Sequence, residues 1–135
     1  CIRDRDISNA SVSLTLTTLN SCNEAQDELD ITIVPAPVLS TYPDTTICGT
    51  NPIITIVGDV QNAGGAIWTT SGTGSFSSLT NLSTDYTASA EDVTNGSVII
   101  GLNSTDNGLC LEESTSFTLT FSEGIFLSAG GDQEV

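Results

Sequence analysis

The chain repeats itself. Asp6-Ile7-Ser8-Asn9-Ala10-Ser11-Val12 corresponds to Asp92-Val93-Thr94-Asn95-Gly96-Ser97-Val98 at an offset of 86 residues, and after a two-residue insertion the correspondence continues at an offset of 88. The longer offset pairs Cys22 with Cys110, Leu29-Asp30-Ile31-Thr32-Ile33 with Phe117-Thr118-Leu119-Thr120-Phe121, Val38-Leu39-Ser40 with Phe126-Leu127-Ser128, Asp44 with Asp132 and Ile47 with Val135. Such a period has the size of a domain and exceeds the roughly 20–50 residues of a solenoid repeat, so the chain reads as beads on a string. The window is out of phase with the beads. Residues 1–36 are expected to form the C-terminal strands of one unit, 37–123 a complete unit and 124–135 the first strand of the next. Cys1 then falls inside a unit. Two strands alone are marginal in water, so the leading hairpin is expected to be completed by upstream chain or by another molecule.

Within each unit the hydrophobic period is two. Val12, Leu14 and Leu16 alternate with Ser and Thr, Val98, Ile100 and Leu102 repeat that pattern, and Phe117, Leu119 and Phe121 alternate with Thr118 and Thr120. Strict alternation marks half-buried antiparallel strands, with Thr suited to the wet side of the pleat. Turn signals at Asn51-Pro52, Asn62-Ala63-Gly64-Gly65, Ser71-Gly72-Thr73-Gly74, Asn95-Gly96 and Asp106-Asn107-Gly108 punctuate the runs. Strands are predicted near 38–47, 53–58, 65–70, 74–78, 82–87, 97–104 and 114–122. Seven short strands at this spacing predict an all-β, immunoglobulin-like β-sandwich in a tandem array. No helical stripe is apparent, and Glu24 to Leu29 offers one turn at most. Trp68, on the third strand after a Gly-Gly turn, is expected in the core; a sugar-stacking platform with Tyr86 or Phe76 is its alternative role.

Seventeen acidic residues face only two basic ones, Arg3 and Arg5. Nucleic acid and anionic membrane surfaces are therefore poor partners, and no nucleic-acid partner is expected. No apolar run approaches the roughly 18 residues of a spanning helix, and no membrane insertion is expected. With few ion pairs available, burial and β-ladders must carry the stability. Histidine and lysine are both missing, which leaves Ser-His-Asp and Ser-Lys catalysis without a base and rules out lysine–asparagine staples. Glu112-Glu113, and Glu24 with Asp27, Glu28 and Asp30, supply carboxylates, but successive residues on a strand point to opposite faces and a solvated surface is the expected reading. The G-x-G of Ser71-Gly72-Thr73-Gly74-Ser75 leads into a strand rather than a helix, so it is read as a turn and not a phosphate cradle. The chain is expected to be no enzyme and to need no cofactor, with Ca2+ the one candidate ligand. Asp44 and Asp132 recur at the two junctions, and Asp4, Asp6, Glu91 and Asp92 lie near a loop end, yet no D-x-D-x-D-G loop is present. Diffuse counterion screening is the alternative.

Cys1, Cys22, Cys48 and Cys110 form no C-x-x-C pair, which excludes zinc-finger and thioredoxin-type sites. Cys22, Cys48 and Cys110 are the disulfide candidates. In an immunoglobulin wiring Cys48 and Cys110 belong to opposite ends of a unit. An intradomain bond, an interdomain staple between the first-strand cysteine of one repeat and the hairpin cysteine of the next, and free thiols all remain open.

Gly65-Ala66-Ile67-Trp68-Thr69-Thr70-Ser71-Gly72-Thr73-Gly74-Ser75-Phe76, Tyr86-Thr87-Ala88-Ser89-Ala90-Glu91-Asp92-Val93, Gly96-Ser97-Val98, Asn107-Gly108-Leu109-Cys110 and Asp44-Thr45-Thr46-Ile47-Cys48 resemble the SprB-like tandem repeats of giant Bacteroidetes surface and gliding adhesins. The W-T-T-S-G-T-G-x-F string is the most specific part, and Ala88 departs from the family's usual proline. The resemblance implies export by the type 9 secretion system, an extracellular location on the bacterial cell surface, and a non-catalytic structural or adhesive role in a stalk or filament, including gliding motility. Its implied partners are neighbouring repeats, copies of the chain itself in a filament, and an extracellular surface or polysaccharide. Asp44-Thr45-Thr46 also resembles a bacterial O-glycosylation motif, which makes Thr45 a glycan candidate. A carbohydrate-binding module accessory to a secreted enzyme is the alternative function.

Overall fold

The computed structural model describes residues 11–18 and 25–122, and among these the fold is all-β apart from one short helix. Cys1, Cys22, Asp132 and the whole 124–135 segment lie outside the described residues.

The leading strands β1 (Ser11–Thr17) and β2 (Gln26–Thr32) pair antiparallel with each other. Glu24 to Leu29, weighed as a helical turn, thus contributes to a strand from Gln26 onward. The elements that follow are β3 (Val38–Ser40), β4 (Thr45–Cys48), β5 (Ile53–Val57), β6 (Asp59–Gln61), β7 (Gly65–Thr70), β8 (Ser75–Phe76), β9 (Ser83–Thr87), helix α1 (Ala90–Asn95), β10 (Ser97–Thr105) and β11 (Ser114–Ser122). They form a four-stranded sheet in the order β4-β11-β10-β7, a three-stranded sheet β5-β9-β8 and the pair β3-β6.

One expected strand is divided, and the expected strand 53–58 is followed by a short strand that was not expected, each for an identifiable reason. The stretch 38–47 breaks around Pro43, which has no amide to donate to a ladder: β3 pairs with β6, while β4 crosses to run parallel to β11. The stretch from Ile53 breaks at Gly58, which is buried so closely that a Cβ there would stand 2.6 Å from Leu102 Cδ2 and 3.1 Å from the Trp68 ring. Gly58 donates to the Leu82 carbonyl at 2.8 Å, and beyond it β6 leaves β9 for β3.

The alternation read from the sequence is the alternation of burial. Val98, Ile100 and Leu102 on β10, Phe117, Leu119 and Phe121 on β11, Trp68 on β7, Ile56 on β5 and Tyr86 on β9 meet in one core drawn from both sheets. Trp68 is fully enclosed and its indole N–H donates to the Asn81 carbonyl at 2.8 Å, the partner a buried indole requires. Phe76 stacks on Trp68 and packs against Tyr86 at a centroid distance of 4.9 Å.

Helix α1, like the short strand β6, was not expected from the sequence. Ser89 and Asp92 form a capping box, with the Ser89 hydroxyl accepting from the Asp92 amide and the Asp92 carboxylate accepting from the Ser89 amide. Gly96 ends the helix at φ 81°, a left-handed conformation that favours glycine. At six residues the helix is too short to display a periodic stripe.

Candidate functional site

The strand directions define two ends of the unit spanning β3 to β11. Chain enters at Ala36, whose carbonyl accepts from the Asn62 side chain, and the β10–β11 loop lies at the same end. Cys110 sits in that loop. Its Sγ is 3.6 Å from the Pro35 carbonyl oxygen and 3.9 Å from that of Val34, so the thiol rests on the entering chain. Chain leaves at Ser122, where β11 is in register with Cys48 and Gly49 donates to the Ser122 carbonyl at 3.0 Å. Cys48 is exposed, and its sulfur is 3.0 Å from the Thr50 hydroxyl. Hydrogen bonding to the Thr50 hydroxyl, then to its backbone, holds the Cys48 thiol below the ordinary thiol range.

The two cysteines are free and stand at opposite ends. From Ser114 to Ser122, β11 alone advances about 26 Å. The few residues between Cys110 and Ser114 recover at most about 14 Å of that. A disulfide requires Cα atoms within about 7 Å, so an intradomain bond is excluded and the interdomain and free-thiol states stay open.

Asp44 is not at a junction, contrary to the expectation from sequence. Its carboxylate accepts from the Thr118 amide at 2.7 Å, midway along β11, where it seeds the parallel pairing of Thr45 with Leu119. Thr45 is half-buried at that position, and Asp132 falls outside the described residues. Among the described residues, no three Asp, Glu or Cys side chains converge as a metal site would need. Glu112 and Glu113 are exposed in the β10–β11 loop.

Asp92 is the one buried carboxylate among the described residues. It accepts from the amides of Thr73 and Gly74 at 2.9 Å each, from Ser89 at 3.0 Å and from the Tyr86 hydroxyl at 2.8 Å. Burial pushes its pKa up, but the bonds from Thr73, Ser89, Tyr86 and Gly74 outweigh burial and hold it below the ordinary range. Tyr86 is pushed from 10 to about 12, first by burial and then by its bond to Asp92. These groups tie the Gly72–Gly74 turn to the helix. Every acceptor position of Asp92 is occupied by its own fold, so it is a structural carboxylate rather than a catalytic one.

The aromatic platform weighed from sequence has no exposed ring: Trp68 and Tyr86 are buried and Phe76 is half-buried. One hollow of about 360 Å³ lies on the outer face of β7, β10 and β11 over Gly101, bordered by Thr69, Ile99, Asn103, Ser114 and Ser116. It is bordered by hydroxyls and an amide, with no carboxylate among its lining residues.

The leading hairpin carries the most informative geometry. All seven β1–β2 pairs map onto β10–β11 pairs under the sequence offsets: Ser11↔Thr32 onto Ser97↔Thr120, Val12↔Ile31 onto Val98↔Leu119, Leu14↔Leu29 onto Ile100↔Phe117, and so on to Thr17↔Gln26 onto Asn103↔Ser114. The burial differs completely. Leu16 is 75% exposed where Leu102 is 0%, and Leu29 is 61% exposed where Phe117 is 4%. The hairpin therefore presents the apolar face of β10–β11 without the strands that cover it there.

No protein-family model matches the chain, and a search of the curated proteins finds no match.

Proposed function

We propose that the chain is a non-catalytic structural and adhesive repeat of a large extracellular bacterial surface protein, one whole unit preceded by the last hairpin of another. The observation that carries this reading is the register identity of the two hairpins, one enclosed and one bare. A one-residue slip would reverse every side chain between faces, so seven matching pairs support reading the two hairpins as the same element of successive units. Covering Leu14, Leu16, Leu29 and Ile31 contributes about 1.5–3 kcal/mol for each side chain enclosed. That gain favours an upstream segment of the same kind as residues 38–91 lying over them.

The strand orders support an immunoglobulin-like sandwich for the unit. With β3 and β6 continuing the β5-β9-β8 sheet, one layer reads as strands A, B, E and D, and β7, β10 and β11 read as C, F and G with β4 alongside. The resemblance of the Trp68–Phe76 string to SprB-like repeats supports a cell-surface location, export by the type 9 route and a role in adhesion or gliding. An acidic, lysine-free surface suits a stalk whose units repel one another laterally and stay soluble. The carbohydrate-binding alternative is left with the hydroxyl-lined hollow over Gly101, which lacks an aromatic platform.

The test extends the chain at its start, with residues 37–91 placed directly before Asp6 so that the duplicated phase is continuous. Hydrogen exchange of the β1 and β2 amides is then expected to slow to the level of β10 and β11. Unchanged exchange in the extended chain would overturn the tandem reading. A spacer also binds no glycan, so saturable binding of a polysaccharide by the chain that is lost in Asn103→Ala would favour the alternative.

A further inference from the structure

We propose that Cys48 of one unit forms a disulfide with the residue-110 cysteine of the unit that follows, so that each junction of the array is stapled once. The inference rests on the tandem reading and adds a covalent bond to it. Its geometric basis is that both thiols stand beside the same repeat position. Cys48 is in register with Ser122 at the exit of its unit. One period of 88 residues earlier, the counterpart of Ser122 is Val34. The Cys110 sulfur lies 3.9 Å from the Val34 carbonyl oxygen and 3.6 Å from that of Pro35. In the preceding unit, a cysteine at the position of Cys48 would therefore stand beside Val34 at the strand spacing of about 4.8 Å. Cys110 reaches the same residue from the other side of the junction. The topology thus brings both to the same repeat position, and a disulfide between them requires their Cα atoms to stand about 4.4–6.8 Å apart.

The chemistry needs a two-electron oxidant, and a small disulfide such as oxidised glutathione supplies it. The Cys48 thiolate attacks one sulfur of that disulfide, forming a mixed disulfide and releasing one thiol. The residue-110 thiolate of the next unit then attacks the Cys48 sulfur, forming the interdomain S–S bond and releasing the second thiol. Two protein thiols lose two electrons and two protons, and one small disulfide is reduced to two thiols. The exposure of Cys48 and its bond to Thr50 suit it to the first attack.

The experiment continues the full chain after Val135 with a second copy of residues 48–122, since Val135 occupies the phase of Ile47. Cys1 and Cys22 are replaced by serine throughout. One version keeps only Cys48 and the appended copy of Cys110; the other keeps only Cys110 and the appended copy of Cys48. After incubation with oxidised glutathione, alkylation and intact mass count the remaining thiols, and peptide mapping identifies the bond. The first version is expected to close within one molecule with both thiols consumed, and the second to remain open. Failure of the first to close, closure only between molecules, or equal closure of the second would overturn the staple. Hydrogen exchange on the same samples separates the causes. Protected strands in the appended copy with open thiols sink the staple alone, and unprotected strands sink the tandem reading with it.

Discussion

The Tyr86 hydroxyl donates to Asp92 Oδ2 at 2.8 Å, and both residues are almost completely enclosed. The pair joins β9 to helix α1, and through the amides of Thr73 and Gly74 it also fixes the turn after β7. Asp92→Ala would take the acceptor from three part-buried backbone amides and leave the buried phenol with the Thr70 hydroxyl alone. Each hydrogen bond to a charged group contributes about 1.5–3 kcal/mol, and an orphaned buried donor costs about 1–3 kcal/mol. Asp92→Ala is therefore expected to cost at least about 3 kcal/mol in urea unfolding. Tyr86→Phe removes the bonds to Asp92 and to the Thr70 hydroxyl and keeps the ring, so its expected cost is smaller, about 1–3 kcal/mol. Equal costs for the two would show that the amide bonds contribute nothing beyond the phenol.

The same pair sets the pH limits of stability. Asp92 has a folded pKa below its unfolded value, so its contribution is present above about pH 4 and is lost as pH falls through the folded pKa. Tyr86 has a folded pKa of about 12 against 10 when unfolded, so its contribution is complete below pH 10 and is lost as pH rises from 10 towards 12. Urea midpoints followed from pH 2 to 12 should show a plateau with both flanks falling. Asp92→Asn should flatten the acid flank and Tyr86→Phe the alkaline one. A Tyr86→Phe chain with an unchanged alkaline flank would contradict the assignment.

The β-strands and their faces were legible because alternation is a direct image of burial: Val98, Ile100, Leu102, Phe117, Leu119 and Phe121 were all named from period two and all are core. Helix α1 was not legible by periodicity. Its signals were the Ser89-Ala90-Glu91-Asp92 capping box and the Gly96 stop, which are local chemistry rather than pattern. Asp92 was read as an acid near a loop end, among the Ca2+ candidates, because composition gives no sign that a turn 18 residues upstream will supply its donors. Asp44 was assigned to a junction because it recurs as Asp132 at the repeat offset of 88 residues. The sheet switch around Pro43 places it against Thr118 instead. A proline at position 88 would lack the amide that Ala88 donates to the Pro52 carbonyl here.

Trp68 is the chain's single tryptophan, so its fluorescence reports one site. An indole that is 1% exposed is expected to emit at short wavelength and to resist acrylamide quenching until the chain unfolds. Trp68→Ala should cost about 3–5 kcal/mol, a large part of a small domain's stability, and lower the thermal midpoint followed by circular dichroism. Full stability in this variant, or ready quenching in the parent, would remove Trp68 from the core.

Leu16 and Leu102 offer a comparison with the amino acid and the ladder position held constant, since Leu16 pairs with Asp27 as Leu102 pairs with Thr115 in the corresponding register. Only the cover differs. Leu102 touches the enclosed core below Gly58 and Trp68, and Leu102→Ala is expected to cost about 2–5 kcal/mol. Leu16→Ala removes a side chain that is mostly in water, so unfolding of the chain as it stands should change by less than about 0.5 kcal/mol. In the chain extended before Asp6, the same Leu16→Ala change should acquire the cost of Leu102→Ala, because the upstream strands would now enclose it. If Leu16→Ala remains silent in the extended chain, the upstream copy does not cover the hairpin. A substitution that changes from neutral to costly only when a preceding unit is supplied would be the energetic signature of one repeat completing another.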